Sequence, residues 1–138
     1  MNIFLDANIC LDLLDTKRPT SKASIDWYMN HKNDEALTFY FSSDFITTFY
    51  YVLTERKKYD ASEVISSIEA LSFEILPHYL SHADFINAKN DFFDGKFKDF
   101  EDLMILNSAI RKKCELFITN DKAILELKSI RGMKIKGV

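Results

Sequence analysis

From Asp99 to Asp121 the chain reads DFEDLMILNSAIRKKCELFITND, a run that few folds accommodate. Two carboxylates three residues apart, Asp99 and Asp102, stand at its head. Leu103, Leu106, Ala109 and Ile110 follow at helical spacing, and Arg111, Lys112 and Lys113 close the segment where cations complement the negative end of a helix dipole. Leu116, Phe117 and Ile118 read as a short buried strand. Thr119-Asn120-Asp121 ends it, and residues 122–127 suit a further helix. The run therefore predicts helix, strand, turn, helix, with acids at a helix start and at the carboxyl end of a strand, where open α/β sheets bind ligands. Each acid alone has a plainer explanation: Asp99 with Asp102, and Asp121, are also suitable helix caps. Only convergence with acids from elsewhere separates the two explanations.

The N-terminus repeats the layout. Residues 2–5 (NIFL) form an apolar strand, Asp6-Ala7-Asn8 follows, and Ile9, Leu11, Leu13 and Leu14 continue as a helix, again with Asp6 or Asn8 as cap or as site residue. Lys17-Arg18-Pro19-Thr20 is a break. A helix is expected over 21–32, a strand over 36–41 ending at Ser42-Ser43, and a long helix over 44–58. A helix over 61–71 follows, then a strand over 73–76 stopped by Pro77, a helix over 79–93, a turn at Asp94-Gly95-Lys96, and an edge strand over 133–136. Strands alternating with helices call for right-handed crossovers and a parallel sheet. The expectation is one α/β domain spanning residues 1–138, a parallel twisted sheet of about five strands with helices on both faces.

Composition excludes several functions. The 138 residues are 47% apolar and 28% charged, with a net charge of -3, which argues against a broad basic nucleic-acid surface but leaves room for a local basic patch beside an acidic site. Three glycines leave no Gly-rich phosphate loop. Cys10 and Cys114 are isolated and read as reduced, packed thiols of a cytoplasmic protein. No apolar run reaches membrane-spanning length, and no signal-peptide layout precedes MNIFLD.

In a parallel sheet all carboxyl ends share one edge, so Asp6, Asp121, Asp99 and Asp102 are expected there together. Gathered carboxylates need compensation, and a hard divalent cation, Mg²⁺ or Mn²⁺, supplies it. Such an ion supports phosphoryl transfer. Phosphate contacts are expected at the local basic residues Lys17, Arg18, Arg56, Lys57, Lys58, Lys96 and Lys98. His78 and His82 have the i,i+4 spacing of a transition-metal pair but lack a third soft ligand nearby, so a metal role is not expected of them.

LDAN near the N-terminus, DFEDLMILNSA in the last third and FITND a strand later resemble the signature segments of PIN domains. These are small α/β nucleases that include the VapC toxins of bacterial toxin–antitoxin pairs. The resemblance implies a metal-dependent endoribonuclease with RNA as substrate, held through those basic residues, and a small antitoxin protein as partner; a homodimer is open to the chain, and no membrane association is expected. It assigns the catalytic and metal-binding acids to Asp6, Asp102 and Asp121 with Asp99 as auxiliary, and supporting roles to Asn8, Thr119 and Asn120, with Thr48 a further supporting position through its hydroxyl. One position departs: where the family carries an acid at the front of the helix after the second strand, this chain has Thr48. Asp44 lies a turn earlier and Glu55 two turns later, about 10 Å along the axis. Thr48 makes a non-cleaving PIN-like module that binds RNA or protein the chief alternative. A receiver or phosphatase domain fits less well, because Asp6 is followed two residues on by Asn8 rather than by the second acid of a D-x-D phosphatase.

Overall fold

The computed structural model describes residues 1–138. The chain runs β1 (Asn2–Leu5), α1 (Ala7–Leu14), α2 (Ser21–His31), β2 (Thr38–Ser42), α3 (Phe45–Tyr51), α4 (Ala61–Glu74) and β3 (Ile75–His78). It continues with α5 (His82–Phe93), α6 (Phe100–Arg111), β4 (Cys114–Ile118), α7 (Lys122–Leu127), β5 (Ser129–Ile130) and β6 (Met133–Lys136). The six strands form one sheet in the order β3-β2-β1-β4-β6-β5. All neighbours are parallel except β5 against β6. Right-handed crossovers then put α1–α4 on one face, because β1→β2→β3 steps one way across the sheet. They put α5–α7 on the other, because β3→β4→β6 steps back. The central strands are correspondingly apolar apart from Asn2 and Glu115: Ile3, Phe4, Leu5, Phe117 and Ile118 are buried, and the rings of Phe4 and Phe117 stack at 5.4 Å.

Five expectations are corrected. The sheet has six strands rather than about five, and 133–136 is not its edge: β6 pairs with β4, and the two-residue β5 caps the sheet beyond it. Pro77 lies within β3 instead of stopping it, paired with Phe41, because β3 is an edge strand and can lack a ladder donor. The helix over 44–58 is α-helical only to Tyr51. Val52–Arg56 is a π-helical turn, closed by the Lys57 N–H donating to the Val52 carbonyl at 3.0 Å, and it keeps Leu53 buried. The helix over 79–93 starts at His82, where Asp84 folds back to accept from the Ser81 N–H at 2.9 Å.

Two ion pairs, each joining a buried carboxylate to a partly exposed arginine, tie the second helical layer together. Arg111 of α6 donates from Nε and Nη2 to Asp84 of α5, both at 3.0 Å. Arg131, at the β5–β6 turn, clamps Asp91 of α5 at 2.6 and 3.0 Å and also reaches Asn107 of α6. Burial pushes the Asp91 carboxyl up, but Arg131, Asn107 and Lys96 outweigh it and hold the group below its ordinary range.

Candidate active site

The direction of the crossovers reverses between β1 and β4, which lie side by side at the centre of the sheet. This is the switch point where the carboxyl ends of two strands open a crevice. Asp6 follows β1 and keeps the ladder going, its N–H donating to Ile118 O at 3.0 Å. Across from it Thr119, fully buried, donates its hydroxyl to Asp6 Oδ2 at 2.7 Å. Asn8 donates from Nδ2 to Asp6 Oδ2 and to Thr119 Oγ1, each at 3.3 Å, and accepts the Asn120 N–H on Oδ1 at 3.0 Å. The Asp121 N–H donates to Thr119 Oγ1 at 3.0 Å. The two motifs LDAN and FITND are thus stitched into one frame by side chains expected to be supporting: Asn8, Thr119 and Asn120.

Capping also holds. Asp6 Oδ1 accepts from the Ala7 N–H at 2.8 Å, and Asp121 Oδ1 from Ala123 and Ile124 at 2.9 and 3.3 Å. Asp99 Oδ1 accepts from the Asp102 N–H at 3.1 Å. Three helices, α1, α6 and α7, therefore begin on these carboxylates. Asp102 differs: its carboxylate accepts no hydrogen bond from the protein. Burial pushes it up to about 7, reinforced by the charges of Asp99, Asp6, Asp121 and Glu101. Asp6 is also raised, by burial first and by Asp121, against the lowering effect of Thr119, Ala7 and Asn8. Acids brought from three places in the sequence act on one another here. Glu101, overlooked in the sequence, sits between Asp99 and Asp102; three acids within one turn of DFED were the signal.

A groove of about 390 Å³ opens beside Asp102. Asp44, Thr48 and Glu101 line it over an apolar floor that includes Phe45 and Met104. Thr48 thus lines the same groove as Asp102, and it is exposed. Asp44 is exposed and makes no capping bond to α3. Glu55 lies on the π-helical turn, away from the groove.

The donor set is entirely hard oxygen, which suits Mg²⁺ or Mn²⁺ and no soft metal. The carboxylates share a field without closing into a finished cage, since no three His, Cys, Asp or Glu side chains stand in metal-holding geometry. Mg²⁺ keeps several waters and commonly takes only one or two carboxylates, so an open arrangement of this kind fits it. The histidines are used elsewhere. His78 Nε2 lies 3.1 Å from Ser108 O, and burial, with Arg111 nearby, lowers its pKa. The His82 ring packs 6.2 Å from Phe85.

The expected basic residues separate into two groups. Lys96 and Lys98 lead directly into Asp99, although Lys96 Nζ is also 3.3 Å from Asp91. Lys17 and Arg18 follow the C-terminal end of α1, and Arg56, Lys57 and Lys58 follow α3; the eight residues of α1 alone span about 12 Å. Arg18 is committed to Asp12 at 2.8 Å, and Lys17 and Arg56 lie over the rings of Tyr59 and Tyr51 at 5.7 and 5.6 Å.

A parallel sheet with helices on both faces and acids converging at its switch point defines an α/β domain of the acidic-site class. The chain belongs to the PIN domain family, whose model matches residues 3–129. It is 32% identical over 128 residues to ribonuclease VapC1 of Aquifex aeolicus, an alignment covering 88% of this chain and 82% of the relative. Among solved structures, VapBC2 of Rickettsia felis, bound to a DNA fragment from its promoter, superposes with a TM-score of 0.70 at 17% identity, over 100% of this chain and 99% of that one. VapC20 of Mycobacterium tuberculosis, described as a sarcin–ricin loop cleaving toxin, gives a TM-score of 0.71 at 12% identity, over 96% and 98%. At those identities the superpositions establish the fold. No helix is long and apolar enough to cross a membrane.

Proposed function

We propose that this chain is a metal-dependent endoribonuclease, the toxin of a type II toxin–antitoxin pair, acting in the cytoplasm with Asp6, Asp102 and Asp121 as its principal acids. The single observation that carries the reading is Asp102: half-buried and without a hydrogen bond to its carboxylate, it is pushed up to about 7 by burial first and then by the charges of Asp99, Asp6, Asp121 and Glu101. A carboxylate so placed is destabilised until a cation meets it. A bound Mg²⁺ or Mn²⁺ would neutralise the cluster, polarise a phosphodiester and activate a water.

The chain's own residues supply the rest. Thr119 and Asn8 hold Asp6 through hydrogen bonds to Oδ2, and the Thr119 hydroxyl accepts the Asp121 N–H, so the two acids are set relative to each other. Asp99 and Glu101 flank Asp102, and Thr48 offers a hydroxyl from across the groove. Lys98 and Lys96 are the cations best placed for phosphates beside the acids, with Lys17 and Arg56–Lys58 left for more distant nucleotides, while Arg18 is held on Asp12. The similarity to ribonuclease VapC1 supports RNA as the substrate, and the VapBC complexes among the structural neighbours support a small antitoxin as partner.

The test is cleavage of mixed RNA with Mg²⁺ or Mn²⁺. Wild type should cut and leave 5′-phosphate and 3′-hydroxyl ends; EDTA or Asp6→Asn should abolish cutting. Cleavage that persists in chelator and leaves 2′,3′-cyclic phosphates would overturn the reading. Stable RNA binding without cleavage under every metal condition would favour the rival non-cleaving module, for which Thr48 speaks.

A further inference from the structure

Asp12 is a carboxylate outside the acid cluster, on the last turn of α1, and it is fully buried. Four donors converge on it. Oδ1 accepts from Arg18 Nε at 2.8 Å and from the Thr20 hydroxyl at 2.7 Å; Oδ2 accepts from the Ser24 hydroxyl at 2.5 Å and from Asn120 Nδ2 at 3.3 Å. A buried charge needs such partners. Three of them come from the corner between α1 and α2 and merely hold that corner together. The fourth arrives from 108 residues away, out of the turn after β4 that carries Asp121.

Asn120 is held at both ends. Its side chain is on Asp12, and its backbone N–H is on Asn8, which itself bonds Asp6 and Thr119. An unbroken series of hydrogen bonds thus runs from Arg18 through Asp12, Asn120 and Asn8 to Asp6. The turn it braces lies between two like charges, since Asp121 acts on Asp6. Repulsion pushes the turn outward, and the bond from Asn120 to Asp12 pulls it toward α1.

We propose that Asp12 is a positioning residue: through Asn120 it fixes the Thr119–Asp121 turn and so sets the spacing of Asp6 and Asp121. The consequence for cation affinity rests on the reading of these acids as a divalent-metal site; the consequence for the turn does not.

The experiment compares Asp12→Asn, Asn120→Ala, their double variant and Ser24→Ala. Asp12→Asn keeps the shape but turns an N–H toward one pair of donors. Ser24→Ala removes a bond from the same carboxylate without touching the turn, and so reports a purely structural role. Asn120 is only half-buried, so Asn120→Ala carries the comparison should Asp12→Asn not fold. Amide hydrogen exchange at Asn120 and Asp121, read by NMR in EDTA, should speed up about tenfold or more in Asp12→Asn and Asn120→Ala and stay within about twofold of wild type in Ser24→Ala. Mn²⁺ titration should show binding weakened about tenfold in the first two variants, with the double variant no weaker than Asn120→Ala alone. Equal exchange at these amides in Asp12→Asn and Ser24→Ala, or additive losses in the double variant, would overturn the proposal. Wild type that ignores Mn²⁺ while the exchange pattern holds would refute the metal-site reading and leave the positioning role standing.

Discussion

Replacing Asp102 by Asn should make the metal-free protein more stable. The carboxylate accepts no hydrogen bond, so the amide breaks none, and it removes a charge that burial and Asp99, Asp6, Asp121 and Glu101 all oppose. A carboxyl displaced from an ordinary value near 4 to about 7 would cost about 4 kcal/mol in a fully dry site. Asp102 is half-open to water, and screening reduces this to about 1–2 kcal/mol. The sign follows from proton binding. Between about pH 4 and 7 the folded state holds this proton and the unfolded state does not, so wild-type stability falls as pH rises through that window. The gain in Asp102→Asn should therefore be near zero at pH 4, grow with pH and level off above 7. For 138 residues, about 1–2 kcal/mol corresponds to a rise of roughly 3–7 °C in melting temperature. Calorimetry in EDTA at pH 4, 6 and 8 measures it. Adding Mn²⁺ at pH 8 should reverse the order, because bound ligand stabilises wild type more than the variant. A variant less stable than wild type at pH 8 in EDTA, or a difference that does not change with pH, would refute the electrostatic argument.

Other expectations follow the same geometry. Thr48→Glu should tighten Mn²⁺ binding and leave the melting temperature in EDTA within a few degrees, since Thr48 is exposed and the new carboxylate is not buried; titration beside Asp44→Asn decides between Thr48 and Asp44 as the position that matters. Arg131→Ala leaves the buried Asp91 with only Asn107 and Lys96 and should cost about 1–2 kcal/mol at neutral pH by denaturant unfolding. Because Asp91 is held below its ordinary range, that loss should be full above about pH 4 and fade as pH falls through the lower folded value. Lys98→Ala in an Asp6→Asn background should weaken RNA binding more at low than at high salt, and binding unaffected by salt would count against phosphate contacts at this position.

The alternation of apolar strands with acid-headed helices was legible because both periodicities are local. The pairing of LDAN with FITND followed from it, since parallel strands leave their carboxyl ends on one edge. Pro77 misled because its meaning depends on where β3 sits in the sheet, which no local pattern encodes. The π-helical turn after Tyr51 was invisible for a similar reason: Leu53 is held by the core rather than by the 3.6-residue period. Arg18 looked like a free cation beside Lys17, and only the folded corner shows Asp12 beneath it. Asp12 itself reads as one polar position in an amphipathic helix, and its partner lies 108 residues away.

The double duty of the capping acids bears on how such a chain would decay. Asp6, Asp99 and Asp121 each start a helix, and losing a cap of that kind costs about 1 kcal/mol whether or not the site is used. Asp102 starts none, and in metal-free protein it is a burden. A descendant that stopped cutting RNA would have a folding reason to keep three of the acids and a folding reason to discard the fourth. The presence of Asp6, Asp99 and Asp121 in any such sequence therefore testifies to architecture, and Asp102 is the witness to activity.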